Sequence, residues 1–159
     1  MKKIALAFCM LSMAMFSFAQ EKPEVKLDKS KIQLNAGIGL SGWGIPLYIG
    51  ADYWVRDDIT VGLEASFRYS LWHSYAVIGG VVNGNYHFTK LFDLPDNMDV
   101  YAGVSAGPFL SLGGYWAHPY FGVAGQIGGR YKIQDNLWVN AEIDGGNLYG
   151  LKVGITIRK

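Results

Sequence analysis

Ile59-Thr60-Val61-Gly62-Leu63-Glu64-Ala65-Ser66-Phe67-Arg68-Tyr69 decides the fold. Apolar side chains and Tyr take every odd position, and Thr, Gly, Glu, Ser and Arg take every even one. A period of two sorts residues onto opposite faces of a strand, whereas a helix would mix them. The same alternation runs outward on both sides. Ile32, Leu34, Ala36, Ile38 and Leu40 alternate with Gln33, Asn35, Gly37 and Gly39, and Leu47, Ile49, Ala51, Tyr53 and Val55 alternate with Tyr48, Gly50, Asp52 and Trp54. Near the end, Leu137, Val139, Ala141 and Ile143 oppose Trp138, Asn140, Glu142 and Asp144, and Leu151, Val153, Ile155 and Ile157 oppose Lys152, Gly154, Thr156 and Arg158. Val100–Ala106 and Phe121–Tyr131 repeat the pattern less strictly. Residues 75–88 begin apolar on both faces and alternate cleanly only from Val82, which suggests a bulge at Gly79-Gly80. The expectation is an all-β chain of eight antiparallel strands.

The two faces have unusual chemistry. One is apolar or Tyr throughout the clean strands. The other carries Asp52, Glu64, Arg68, Glu142, Asp144, Lys152 and Arg158 among Gly, Ser, Thr and Asn. The outside of a soluble barrel is rich in Lys and Glu. Small residues with a few mixed-sign charges instead suit the inside of an up-and-down transmembrane β-barrel whose apolar face meets lipid. Closing the sheet satisfies every backbone group, as hydrocarbon requires.

Composition agrees. Only 17% of the 159 residues are charged, and there are 21 Gly, 5 Trp, 10 Tyr and 8 Phe. The 14 Lys+Arg against 13 Asp+Glu leave no basic surplus for nucleic acid. Mean hydropathy of +0.13 is too low for a bundle of membrane helices. At the N-terminus, Lys2-Lys3, the apolar stretch Ile4–Phe18 and Ser17-Phe18-Ala19 form the three parts of a cleaved secretory signal over residues 1–19. Its apolar run of about 15 residues is short of the ~20 of a spanning helix. The single cysteine, Cys9, leaves with it, so no disulfide is expected. Residues 20–31 read as a charged periplasmic leader, and residues 32–159 as the barrel.

With both ends periplasmic, Arg56-Asp57-Asp58, Lys90–Asn97 and Gln134-Asp135-Asn136 become periplasmic turns. Ser41–Pro46, Ser70–Ser74, Leu110–Pro119 and Gly145–Asn147 become outer connections, with Leu110–Pro119 the longest and most aromatic. Aromatic residues gather near both rims, as in interfacial girdles. Tyr53–Glu64 is echoed by Tyr131–Glu142: Tyr, an aliphatic residue two places on, a turn Asp and a terminal Glu recur in the same order.

These features resemble the small eight-stranded outer-membrane barrels of Gram-negative bacteria: OmpX, the OmpA membrane domain and the opacity-like proteins. The resemblance covers about residues 32–159. It implies an outer-membrane location, contact with outer-membrane lipid and lipopolysaccharide, and insertion by the barrel-assembly machinery. Lys152, Gly154 and Ile157 match the family's C-terminal assembly signal, while Lys159 stands where an aromatic residue is usual. The implied role is structural or surface interaction, with porin-like architecture and no catalysis.

The candidate interior charge network is Asp52, Glu64, Arg68, Arg130, Glu142, Asp144 and Lys152, expected to pair and plug the narrow barrel. Candidate outer-loop contacts for an extracellular ligand are Trp43, Trp72, His73, Tyr115, Trp116 and His118. A lipid A-modifying enzyme would need Ser, His and an acid together. His73-Ser74 and Ser111 with His118 lack an acid in either outer loop, so no catalytic residue is assigned. His87 reads as a core hydrogen-bonder. Scattered histidines and no cysteine in the mature chain suggest neither metal nor cofactor. A small pore or a soluble lipocalin-like carrier would also fit eight alternating strands, but the charged interior argues against the carrier.

Overall fold

In the computed structural model, residues 32–41, 44–70, 75–113, 116–146 and 150–158 are described. The expected signal and leader, together with Trp43, Trp72, His73 and Tyr115, lie outside them. The strands are β1 (Ile32–Leu40), β2 (Ile45–Arg56), β3 (Ile59–Ser70), β4 (Tyr75–His87), β5 (Met98–Gly113), β6 (Trp116–Gln134), β7 (Leu137–Gly146) and β8 (Leu151–Arg158). Each pairs antiparallel with its neighbours in sequence, and β8 closes on β1 from Gln33↔Arg158 to Leu40↔Leu151. The fold is therefore an up-and-down closed barrel.

Alternation places the faces as the sequence predicts. Leu63 and Ile143 on the outer wall are each 66% exposed, whereas Lys152 inside is 4% exposed. Leu34, Ile49, Val104, Ile127 and Val153 continue the outer apolar wall around the barrel. An apolar belt of this extent is stable against hydrocarbon rather than water.

The hairpin echo has a structural basis. The β2–β3 ladder shifts register between Trp54 and Arg56, just before the turn Asp57-Asp58. The β6–β7 ladder shifts between Lys132 and Gln134, before Asp135-Asn136. The carbonyl of Asp58 accepts from the His87 amide on β4, and that of Asn136 accepts from the Arg158 amide on β8, both at close hydrogen-bond range. Each copy thus ties its turn to the next strand in the same way.

Two expectations are corrected. No bulge occurs at Gly79-Gly80. Val77 and Val81 both point inward and are buried with Phe109 and Ala124, so β4 is apolar on both faces while keeping its parity. The β4–β5 ladder skips from Gly79↔Phe109 to Val82↔Ala106, with two residues on each strand between them. Pro108 lies in that gap and has no N–H to contribute. Secondly, Leu110–Pro119 is not a long loop: β5 runs to Gly113 and β6 begins at Trp116, with Leu110↔Pro119 in register. Above Ala124↔Gly146, β6 has no β7 partner among the described residues, so Pro119 occurs where one side of the ladder is absent.

Candidate functional site

The barrel interior holds the chemistry, in two polar groups capped by an apolar one. At the end of the barrel that carries the β2–β3 and β6–β7 turns, Arg130 lies between Asp52 at 3.3 Å and Asp99 at 3.4 Å. Arg158 also contacts Asp99, stacks 4.2 Å over Trp138, and donates to Gln33 Oε1 at 2.9 Å. Asp52 accepts from Gln33 at 3.0 Å and Asn35 at 2.8 Å. These groups meet because β1, β2, β5, β6 and β8 send side chains of one parity across a narrow interior.

In the same group, Thr60 Oγ1 lies 3.0 Å from His87 Nε2, and His87 Nδ1 lies 2.8 Å from Asp99 Oδ1. An ionised Asp99 only accepts, so His87 Nδ1 donates to it. That is the order of a hydroxyl–imidazole–carboxylate relay. Thr60 is wholly buried, however, and the Trp54 ring lies 4.2 Å from that of His87. The relay is a hydrogen-bond chain packed among buried side chains.

Higher in the barrel, Lys152 Nζ lies 2.5 Å from Glu142, 3.1 Å from Glu64 and 3.9 Å from Asp144. Tyr101 donates to Glu142 at 2.7 Å while its ring packs 4.4 Å from the Arg130 guanidinium, linking the two groups. Tyr48 donates to Asn140 at 3.0 Å, Asn140 to Thr156 at 2.8 Å, and Thr156 to Asn35 at 2.7 Å. Neither carboxylate oxygen of buried Asp144 accepts a hydrogen bond among the described residues. The void left among these side chains measures about 20 Å³, on the scale of one or two water-sized spheres. Above it, Val77, Val81, Phe109 and Ala124 pack with Tyr75 and Tyr120, and Phe109 stacks on Tyr120 at 5.3 Å.

The structure brings Asp52 and Arg130 into one group and Glu64, Glu142, Asp144 and Lys152 into the other. Arg68 is also buried, on β3 beside Val77 in the apolar layer. Asp99, Thr60 and Arg158 take part as well, although the sequence pattern does not assign them to the network. Asp99 and Arg158 have the inward parity of their strands, but their position near strand ends hides their part in it. Of the outer-loop candidates, Trp116 and His118 belong to strand β6, which corrects their placement in a loop. His118 is the cross-strand partner of Ser111, and no hydrogen bond joins the two side chains among the described residues. Of the C-terminal set, Lys152 points inward and Ile157 outward. Gly154 faces Gly37 beneath the Tyr48 hydroxyl, where an added Cβ would collide with that hydroxyl and the Ala36 carbonyl.

The fold, a closed eight-stranded antiparallel barrel, is that of the small transmembrane β-barrels. Among solved structures it is similar to Neisserial surface protein A, with 14% identity, a TM-score of 0.59, and 80% of this chain and 94% of that one covered. It is also similar to the N-terminal β-barrel domain of Pseudomonas aeruginosa OprF, with 16% identity, a TM-score of 0.55, and 80% and 96% covered. A de novo designed transmembrane β-barrel matches with 14% identity, a TM-score of 0.57, and 83% and 98% covered. No protein-family model matches the chain, and no curated sequence does. A designed barrel among the matches illustrates that this likeness carries architecture and not role.

Proposed function

We propose that this protein is exported by a cleaved signal at residues 1–19 and resides in a Gram-negative outer membrane as a plugged barrel. Its role is structural or exercised at its surface, and it catalyses nothing. The observation that carries this reading is the packing among the described residues: two ion-paired groups bridged by Tyr101, under an apolar layer, surround a void of about 20 Å³. The apolar outer wall supports the membrane location. The wholly buried Thr60 hydroxyl speaks against catalysis at the relay, the most enzyme-like arrangement inside. The partners are outer-membrane lipid, lipopolysaccharide at the outer rim, and the assembly machinery at β8.

The test is single-channel recording of the purified protein in planar bilayers. The wild type is expected to give no stable unitary steps. Reproducible steps whose size changes in Lys152→Met would contradict the plug and favour a small pore.

A further inference from the structure

The periplasmic connection between β4 and β5, residues 88–97, exposes apolar side chains where a polar turn would suffice. Leu91 is 65% and Phe92 is 62% exposed. Their position is fixed by hydrogen bonds. The Phe92 amide donates to the Phe88 carbonyl at 3.0 Å and the Leu94 amide to the Thr89 carbonyl at 2.9 Å, forming a single helical turn that ends at Asp93 with φ of 50°. The polar residues of the turn tie it to the barrel. Thr89 donates to Asp99 at 3.0 Å, Lys90 to Asp57 at 2.7 Å, and the Lys132 amide to the Asn97 carbonyl at 2.9 Å. Leu91 and Phe92 are thus left outside a braced turn.

The aromatic contacts give the direction. Phe92 stacks on Phe88 at 5.6 Å, and Phe88 meets Tyr86 edge-on at 5.0 Å. Tyr86 belongs to the outward face of β4, the face that carries Val82 and Ile78. The rings therefore continue the lipid-facing wall past the end of the strand. On the other side of the turn, Asn97 donates to the hydroxyl of outward-facing Tyr131 at 3.3 Å. A Tyr with its ring on an apolar wall and its hydroxyl in a polar contact marks the membrane–water boundary.

We propose that this turn is a foot that seats Phe92 and Leu91 in the interfacial layer of the phospholipid leaflet at the periplasmic rim. It would fix the depth of the barrel at that end. The occupant is lipid rather than protein because the exposed side chains are continuous with the wall that lipid already covers. The inference rests on the transmembrane reading, and its test separates the two.

In a Cys9→Ser background, a spin label is attached at Phe92→Cys, Leu91→Cys, Leu63→Cys or Asp96→Cys. Each variant is checked for a closed barrel by its shift on boiling, then reconstituted sparsely into phosphatidylethanolamine–phosphatidylglycerol vesicles. Collisions with oxygen, which partitions into lipid, are compared with those of a water-soluble nickel chelate. Oxygen should dominate at positions 63, 91 and 92, and nickel at 96. Nickel dominance at 91 and 92 with a lipid-buried 63 overturns the foot and leaves the barrel standing. A water-exposed 63 overturns the membrane reading itself. Shielding at 91 and 92 that appears only at high protein density overturns the lipid assignment in favour of a contact between copies. If Phe92→Cys does not fold, Leu91→Cys carries the comparison.

Discussion

Lys152 faces three buried carboxylates, Glu64, Glu142 and Asp144, and that ratio sets the expectations at residue scale. Removing a positive charge that faces three buried carboxylates is costly because the partners remain desolvated. Lys152→Met should therefore lose about 3–5 kcal/mol, measured by urea unfolding in detergent micelles. Adding Glu64→Gln and Glu142→Gln to it should restore much of the loss. A triple variant less stable than the single one would contradict the pairing. Asp144 is placed differently, since its oxygens accept no hydrogen bond among the described residues. Asp144→Asn should raise stability by about 1 kcal/mol by removing an under-compensated charge, and a loss in the same titration would contradict that. Parity alone reveals which charges face inward. It does not reveal which ones meet, because partners such as Arg130 and Asp52 are 78 positions apart. Nor does it show that the Thr60 hydroxyl would find His87.

At the scale of the strand, the outward face decides whether β3, β7 and β8 can enter a bilayer. Leu63→Arg, Val139→Arg and Val153→Arg should each cost about 2–4 kcal/mol near the bilayer midplane, read as loss of folded protein in refolding into vesicles. Normal folding of all three variants would contradict the lipid-facing assignment. These strands are legible because small or polar residues fill their inner faces. Strand β4 is harder to read, because Val77 and Val81 serve an apolar layer inside the barrel and erase the contrast between faces. The β5–β6 hairpin reads as a loop for a related reason. Trp116, Ala117, Pro119 and Tyr120 show no polar alternation, and proline usually marks a loop, yet a strand with one unpaired side tolerates it.

At the scale of the molecule, closure and inversion go together. A sheet of eight strands this narrow has an interior filled by side chains, and here that filling is polar at the end carrying the β2–β3 and β6–β7 turns and largely apolar, with buried Arg68, towards the other. The wall outside is apolar between its two rims. Closure itself is a long-range property: β1 and β8 pair across nearly the whole barrel sequence, and only the even strand count hints at it. Role is less legible than architecture, since the interior residues that carry the ion pairs are the same ones that fill the space.

The most direct test of the central claim, a closed membrane barrel with its polar face inside, is the gel mobility of the outer-membrane fraction with and without boiling. Barrel closure predicts a compact, fast-migrating band in the unboiled sample that shifts to slower migration on boiling. A protein found in the soluble periplasmic fraction with no shift would mean that the faces are reversed, with Glu64, Arg68 and Glu142 on the surface.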